Sequence, residues 1–549
     1  MTVKLLFVGF THPPEPAPVT FGAAGFPRMY ILTTTQDGSA KTPTRRMRLT
    51  IGALSAIERV GNKLPHPFWL FVIMAGLVIL ASAALSALNV SVVSPADGET
   101  VSVTSLLSTE GIHFIIGDAI SNFAAFPPLP LIVAVMIGVS VAEQSGLITA
   151  ALRGSVTRVP KKWLTFAVVL TGISASVASD AAYVVYIPLA AMVFKAVGRS
   201  PILGLVVGFG SVSAGYNAAL TITLTDALMS GLSTSAAQII DPGYVVNPLA
   251  NFFFTFVSAI FLAIVITLLT ELVLVKLSGN AREDEDAEIG DLGSMLLTDS
   301  ERKGMRRAGL TLLVYFGLIA AMLAPPASPL RGEDGGLLSS PLLSGVAFVL
   351  AIAFLLVGIV YGRTTGSLPT MASVPPAMAV GVRELAPVLV LFFAAAQFIA
   401  YFSWSGMADV IAISGANFLE STGVPPALLF VGFLVLAAIL NVFITSGSAQ
   451  WALIAPVFIP MFMLMGISPE TTQALYRIAD SATNIISPMS AYFIMVLGLL
   501  QKYRKDAGVG TMISLTLPIS ITVFVSWTLF FFLWWGLGIP LGPGTPYTY

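Results

Sequence analysis

The chain has no cysteine, only three histidines (His12, His66 and His113), and few charges: Asp, Glu, Lys and Arg make up 10% of its 549 residues. Without cysteine there can be no disulfide, thiolate metal site or cysteine nucleophile. Three scattered histidines do not make a multi-histidine metal centre. A soluble domain carries roughly 25% charged residues. So small a share, beside 56% hydrophobic residues, points away from a soluble protein. The net charge of −1 provides no global field to attract nucleic acid. No Ser/His/Asp arrangement, phosphate-binding loop or HExxH is present. Nor is there a soluble stretch long enough for a nucleotide-hydrolysing domain, which argues against an enzyme and against an ATP-driven pump.

What the chain does have is a series of long apolar runs, the mark of an all-α polytopic membrane protein. Residues 1–49 are rich in Pro, Gly and Thr and lack a long apolar segment; the short run from Lys4 to Phe10 does not form a signal peptide. They are expected to be a disordered extension, and a start at Met29 or Met47 would leave the transmembrane part whole. Arg45, Arg46, Arg48 and Lys63 precede the first long run, 67–88, which places the amino terminus in the cytoplasm by the positive-inside rule. The segment 112–126, broken by Pro127 and Pro128, is too short to span and reads as a half-helix. Residues 276–307 carry mixed charge and form a central cytoplasmic loop, dividing a first membrane half, 50–275, from a second, 308–538. The tail 539–549 has no charge and is expected outside. A cytoplasmic start and an external end require an odd number of crossings, about nine by span length, plus re-entrant pieces.

The two halves echo each other. ASDAAYVVYIPLAAMVFKAVGRSP aligns without a gap on TSGSAQWALIAPVFIPMFMLMGISP, so that Asp180 faces Ser448, Tyr183 faces Trp451, Pro188 faces Pro456 and Pro201 faces Pro469. Upstream, Gln144-Ser145-Gly146-Leu147 resembles Trp404-Ser405-Gly406-Met407. Downstream, with a one-residue shift, Ser213 to Asn217 faces Asp480 to Asn484. Lys and Arg flank the first copy, whereas Glu420 and Glu470 flank the second. One copy thus begins inside and the other outside, the signature of an inverted-topology repeat. Such folds place substrate and ion sites where broken helices from both halves meet. A membrane aspartyl protease would need a matched pair of acids, and the partner of Asp180 is Ser448.

The chain is organised around 441–488, which sets Asn441, a Ser/Gly cluster, Trp451, Arg477 and Asp480 in apolar surroundings. Intramembrane ionisable groups are rare and usually functional. Arg477 and Asp480 are three apart and share a helix face, joined by Asn484. Arg477 can bind an anionic substrate group and Asp480 a cation or proton; the alternative is an ion pair that only fixes packing. Asp180 has no cationic neighbour in its local sequence and reads as a proton or sodium site, or as a helix cap. Ser446, Gly447 and Ser448 can free backbone groups for an anion, or form a plain kink. Trp451 can stack on an aromatic substrate or serve as packing. Asn441 can offer an amide oxygen to a cation or tie helices together. Pro188, Pro201, Pro456, Pro469 and Pro488 shape the breaks. Glu143, Asp226, Asp241 and Asp409 rank lower, each being placeable at a membrane edge.

These residues resemble the AbgT family, the p-aminobenzoyl-glutamate transporters of bacteria. The likeness covers nearly all of 50–535 and rests on IERVGNKLPHP, FPPL, AEQSGL, ASDAAYVVYIPLAA, SGSAQWALIAP and YRIADSATNIISP. It implies a homodimer in the inner membrane, each subunit with about nine crossings and two re-entrant hairpins. It further implies uptake of p-aminobenzoyl-glutamate, or export of sulfonamides and p-aminobenzoate, driven by an H+ or Na+ gradient with no cofactor. Its functional positions fall on Asp180, Asn441, Ser448, Trp451, Pro469, Arg477, Asp480 and Pro488. Of these, Ser448, Trp451, Arg477, Asn441, Pro469 and Pro488 are expected to bind substrate and Asp180 and Asp480 to couple the ion, with Asp180, Asn441 and Asp480 a potential sodium site. The first half departs from the family pattern at Ser176, at Pro130 and over 215–227, near the expected cation site, which leaves the ion open. A dicarboxylate carrier of similar architecture and a channel are the competing functions.

Overall fold

Helices begin where the sequence places their caps. The computed structural model describes residues 65–549, apart from 94–99, 157–158, 179–181, 279–295, 333–334 and 338. The expected extension 1–49, the centre of the charged loop and Asp180 therefore lie outside the described residues. Helix α1 (Pro67–Ala87) starts behind His66, whose side chain accepts a hydrogen bond from the Phe68 amide. Proline suits this first position because the first-turn amides have no intrahelical partner. A small antiparallel pair follows, Ser91–Val93 with Thr100–Ser102, in which Val92 faces Val101. The half-helix expected over 112–126 is two helices, α2 (Thr109–Gly117) and α3 (Ala119–Ala124), meeting at Asp118. Gln397, out of place in an apolar run, is explained by them: its amide donates to the Ala119 carbonyl at 2.8 Å and accepts from Asn122 at 3.3 Å.

Next come α4 (Pro128–Gln144) and α5 (Leu147–Val156), bent 63° from one another. The first hairpin is α6 (Leu164–Ser174), turns of 3-10 and π type over Ala175–Ala178 and Ala182–Tyr186, and α7 (Ile187–Ala196). Helices α8 (Pro201–Ala214) and α9 (Leu224–Ala237) form one span broken in the middle, and α10 (Phe252–Leu269) returns. The second half holds α11 (Asp299–Leu323), α12 (Val346–Thr365), α13 (Val374–Glu384) and α14 (Ala386–Trp404). It continues with α15 (Met407–Ser421), α16 (Pro426–Phe443), α17 (Gly447–Leu464), α18 (Pro469–Asn484), α19 (Ala491–Tyr503) and α20 (Val509–Gly536). Helix α11 starts nine residues before 308, the expected start of the second half, because Thr298 and Glu301 form a capping box. That box supplies two first-turn amides with partners.

The repeat is present in three dimensions. Helices α4–α10 and α14–α20 follow the same order: a span, a short helix, a hairpin, a broken span and a full span. Gly146 at φ 84° and Gly406 at φ 70° make the corresponding corners after α4 and α14. A side chain is strained at such a φ, and at Gly406 a Cβ would also lie 2.9 Å from the Ser102 carbonyl oxygen. Ser200 and Ser468 cap α8 and α18, each accepting from the amide three residues on, ahead of Pro201 and Pro469. The hairpins α6–α7 and α16–α17 break at corresponding points. Among the described residues, eight helices are long and apolar enough to cross a membrane, or nine if the bent pair is one span. Two of the eight, α16 and α17, are the arms of a hairpin, while the broken spans α8–α9 and α18–α19 are too short piecewise to be counted. Followed through the described residues, the helices make nine crossings and two hairpins.

One end of the bundle is basic, with Arg153 paired to Glu301 and Arg199 to Glu271. At the opposite end the uncharged tail folds back. The Ser468 amide donates to the Tyr547 carbonyl at 3.0 Å, and the Tyr549 amide to that of Gly466 at 3.1 Å. The tail thus straps the turn between α17 and α18. In the centre, α18 packs on α8, α9, α16, α17 and α20.

Candidate functional site

Helix α18 reads as amphipathic, PETTQALYRIADSATN, yet every residue from Pro469 to Thr483 is buried. With no face to water, its polar side chains must find partners inside the protein, and those partners define the site. The Asn217 side chain, from the break after α8, donates to Asp480 Oδ2 at 2.7 Å, and its backbone amide to Ser481 Oγ at 3.0 Å. Asn441, near the end of α16, donates to the Asp480 carbonyl at 2.7 Å and to Thr483 Oγ1 at 2.8 Å. The Oδ1 atoms of Asn217, Asn441 and Asp480 are buried and accept no hydrogen bond. Buried acceptors without donors are costly, and those of Asn217 and Asp480, joined by the bond between the two side chains, suit a hard cation or, on Asp480, a proton. Gly447 touches the same carboxylate: a Cβ there would lie 2.7 and 2.8 Å from its two oxygens.

Asp480 lies on the wall of a cavity of about 590 Å³. The cavity runs along α4 to Glu143, next to that helix's last residue, and is also lined by Glu384 at the α13–α14 break. Thr445, Ser446, Gly447 and Ser448 line it, so the first turn of α17, the positive end of its dipole, faces the space. Tyr183, Tyr216 and Tyr492 supply aromatic surface. The rings of Tyr183 and Tyr492 stack at 3.9 Å and 10°, joining the first hairpin to α19.

The expected site residues separate into two groups. Ser448 and Asp480 line the cavity, and Asn441 holds the backbone of Asp480. Arg477 and Trp451 do not line it. Arg477 is 1% exposed, and its fork engages Asp226 Oδ1 at 2.8 Å and Asn251 Oδ1 at 3.2 Å. It makes no ion pair with Asp480, although the two share a helix. Trp451 is fully buried, stacked on Tyr476 at 4.4 Å, and donates to Ser233 Oγ at 3.1 Å. Pro469 is the first residue of α18, at the strapped end, and Pro488 sits in the break after it. Asp226, ranked lower as placeable at a membrane edge, is buried inside the protein. A carboxylate can sit there because Arg477 and Thr223 supply its donors. Asn217, Asn251 and Tyr492 were not singled out as site residues from the sequence, and Asp226 ranked only among the weaker candidates. Of the first three, only Asn217 carried a signal, its alignment with Asn484.

A model of the AbgT putative transporter family matches residues 52–549. The p-aminobenzoyl-glutamate transport protein of Escherichia coli (strain K12) is 37% identical over 489 residues, which cover 89% of this chain and 95% of that one. The putative basic amino acid antiporter YfcC of the same organism is 27% identical over 34% of this chain and 37% of its own. Two solved structures share the fold. The Alcanivorax borkumensis YdaH transporter, described as having an unusual topology, matches with TM-score 0.83 and 39% identity, over 87% of this chain and all of that one. Neisseria gonorrhoeae MtrF, described as illustrating a class of antimetabolite efflux pumps, matches with TM-score 0.85 and 41% identity, over 90% and all of that chain. With its paired broken helices, central carboxylate and match over almost its whole membrane part, this chain belongs to the AbgT family of transporters.

Proposed function

We propose that the protein is an ion-coupled secondary transporter that moves p-aminobenzoyl-glutamate or a related aromatic carboxylate through the cavity beside Asp480, and sulfonamide antimetabolites by the same route. The carrying observation is the placement of Asp480 on the wall of a cavity of about 590 Å³, with Asn217 bonded to its carboxylate and Asn441 to its backbone carbonyl. Cavities of roughly 300–1,000 Å³ hold ligands of this size. Three tyrosines offer stacking surface to an aryl ring, and the first turn of α17 offers an anion its dipole. The names of the Escherichia coli and Neisseria relatives support the substrate class. Asp480 and Asp180 are the ion-coupling acids of this reading. The ion is Na+ held by carboxylate and amide oxygens, or H+ on the carboxylate; oxygen donors suit a hard cation. Ser448, Arg477, Trp451, Pro469 and Pro488 serve the substrate, the cavity-lining serine directly. The protein sits as a homodimer in the bacterial inner membrane with its basic end in the cytoplasm.

Purified protein in proteoliposomes tests this. Labelled p-aminobenzoyl-glutamate and sulfamethazine are offered under Na+ and H+ gradients imposed separately. The expected result is saturable flux driven by one gradient and lost in Asp480→Asn. Conductance without saturation or gradient dependence marks a channel instead, and chemical turnover in detergent marks an enzyme.

A further inference from the structure

Three helices line two different cavities. Beyond the space beside Asp480, a second cavity of about 690 Å³ lies toward the strapped end, with Leu131, Thr234, Gln238, Asn247, Glu470 and Thr545 on its wall. On α4, Leu131 lines this outer cavity and the next residue, Ile132, lines the inner one. On α9, Met229 is inner and Thr234 outer, a separation of about 7.5 Å along a helix. On α18, Glu470 is outer and Asp480 inner. The two linings are thus separated by about 7.5 Å along α9 and about 15 Å along α18.

The stretch between the two linings is polar and specifically tied. Arg477, between Glu470 and Asp480 on α18, holds Asp226 in the first turn of α9, at the inner cavity's margin. Ser233 of α9 accepts from the Trp451 indole and lies 2.6 Å from the side-chain amide of Gln473. Asn251 accepts from Arg477 and donates to the Glu470 carbonyl at 3.0 Å. On the other side of α9, Gly231 lies so close to α4 that a Cβ would meet Pro128 Cα at 2.6 Å. The Asp226 carboxylate divides its work. Its Oδ2 accepts from the Thr223 amide and hydroxyl, at 2.7 and 2.8 Å, and so caps α9. Its Oδ1 accepts from Arg477 alone.

We infer that Asp226 is the latch of an outer gate: its bond to Arg477 fastens α9 to α18 and closes the path between the two cavities. Asp226 also occupies the guanidinium fork as a ligand carboxylate would. On the transport reading above, an anionic substrate competes with Asp226 for Arg477, and the exchange frees α9 to part from α18. A planar fork that accepts a carboxylate from either source suits such an exchange. Arg477 and Trp451, absent from the inner cavity, are then gate residues in this state, and the arginine meets substrate only as the gate opens.

The test needs no assumption about the substrate. Because the chain lacks cysteine, Met229→Cys supplies a single reporter on the inner cavity. A membrane-impermeant maleimide is applied to the strapped end of the reconstituted protein. Asp226→Asn keeps one oxygen for the Thr223 cap and turns its NH2 group toward the Arg477 donors, so the latch is lost while the cap stays. Labelling of Cys at this reporter is expected to rise about tenfold or more. Labelling within about twofold of the unlatched protein's parent overturns the inference. Trp451→Phe, which cuts the neutral tie to Ser233 and leaves no unpaired charge, is expected to raise labelling several-fold, and decides the matter if Asp226→Asn does not fold. A separate calorimetric titration with p-aminobenzoyl-glutamate addresses the competition. Tighter binding to Asp226→Asn than to the parent supports the exchange, and weaker binding overturns that part. Absence of binding to either protein counts against the substrate reading and leaves the labelling result standing.

Discussion

Helices α8 and α18 occupy equivalent places in the two repeats, share the Ser-Pro start and are buried along their length, yet they are made of different material. Helix α8, PILGLVVGFGSVSA, packs by close approach: a Cβ on Gly204 would lie 2.6 Å from the Ala190 carbonyl oxygen, and one on Gly208 would lie 2.9 Å from Ala190 Cβ. Helix α18 packs by hydrogen bonds and an ion pair to Asn217, Asp226, Asn251 and Asn441. The repeat therefore supplies its geometry twice, while of these two equivalent helices α18 carries the polar chemistry. A helix held by small residues in apolar surroundings is a rigid support. A helix held by polar exchangeable partners can change them. Helix α8 thus frames the site and α18 operates it.

Substitutions that exchange these properties should break the comparison. The largest effect is expected from Arg477→Ala, which leaves Asp226 buried without its cation. Removing one partner of a buried pair costs about 3–5 kcal/mol. The double variant Arg477→Ala, Asp226→Asn should recover part of that loss, read as the apparent unfolding midpoint in detergent; strictly additive losses would mean that the two side chains are not coupled. Gly447→Ala is next. Its Cβ meets the end of the Asp480 side chain rather than backbone, so folding should survive while the carboxylate is displaced. Transport per folded molecule should fall about tenfold or more, in line with the sensitivity of such sites to misplacement of about 1 Å. Gly204→Ala should do the reverse. Its Cβ meets the backbone of α7, and overpacking of this kind costs about 1–3 kcal/mol, lowering the unfolding midpoint while molecules that fold transport normally. If Gly204→Ala instead lowered transport at unchanged stability, α8 would be part of the moving machinery rather than a support.

The sequence reveals the frame better than the contacts. The gap-free alignment of Asp180 with Ser448 and Pro201 with Pro469 reflects caps and breaks that are local, so it survives into the structure as paired hairpins and paired Ser-Pro helix starts. Asp480 and Ser448 were legible as cavity residues because polar groups in an apolar run have few other uses. The partners of Arg477 were not legible. Helical spacing brings Asp480 to the same face, but the guanidinium reaches Asp226, 251 positions earlier in the chain. No local rule encodes a contact of that range. The same holds for Trp451, which the repeat pairs with Tyr183. Tyr183 lines the cavity, whereas Trp451 turns into the protein to reach Ser233 of α9. The tail after α20 reads only as uncharged, and its role as a strap depends on backbone bonds to Gly466 and Ser468.

Trp451→Phe is expected to have the smallest effect and to separate support from operation most finely. Phenylalanine keeps a ring on Tyr476, where the indole stacks at 4.4 Å, and loses only the Nε1 bond to Ser233. One neutral hydrogen bond contributes about 1 kcal/mol, so the unfolding midpoint should drop slightly. Because Trp451 is fully buried and does not line the inner cavity, equilibrium affinity measured with the gate closed should be nearly unchanged. A loss of affinity of about tenfold, roughly 1.4 kcal/mol, would exceed what the Ser233 bond can supply. It would place the indole in contact with the ligand, and the second repeat would then bind substrate with the aromatic side chain that in this structure ties its gate.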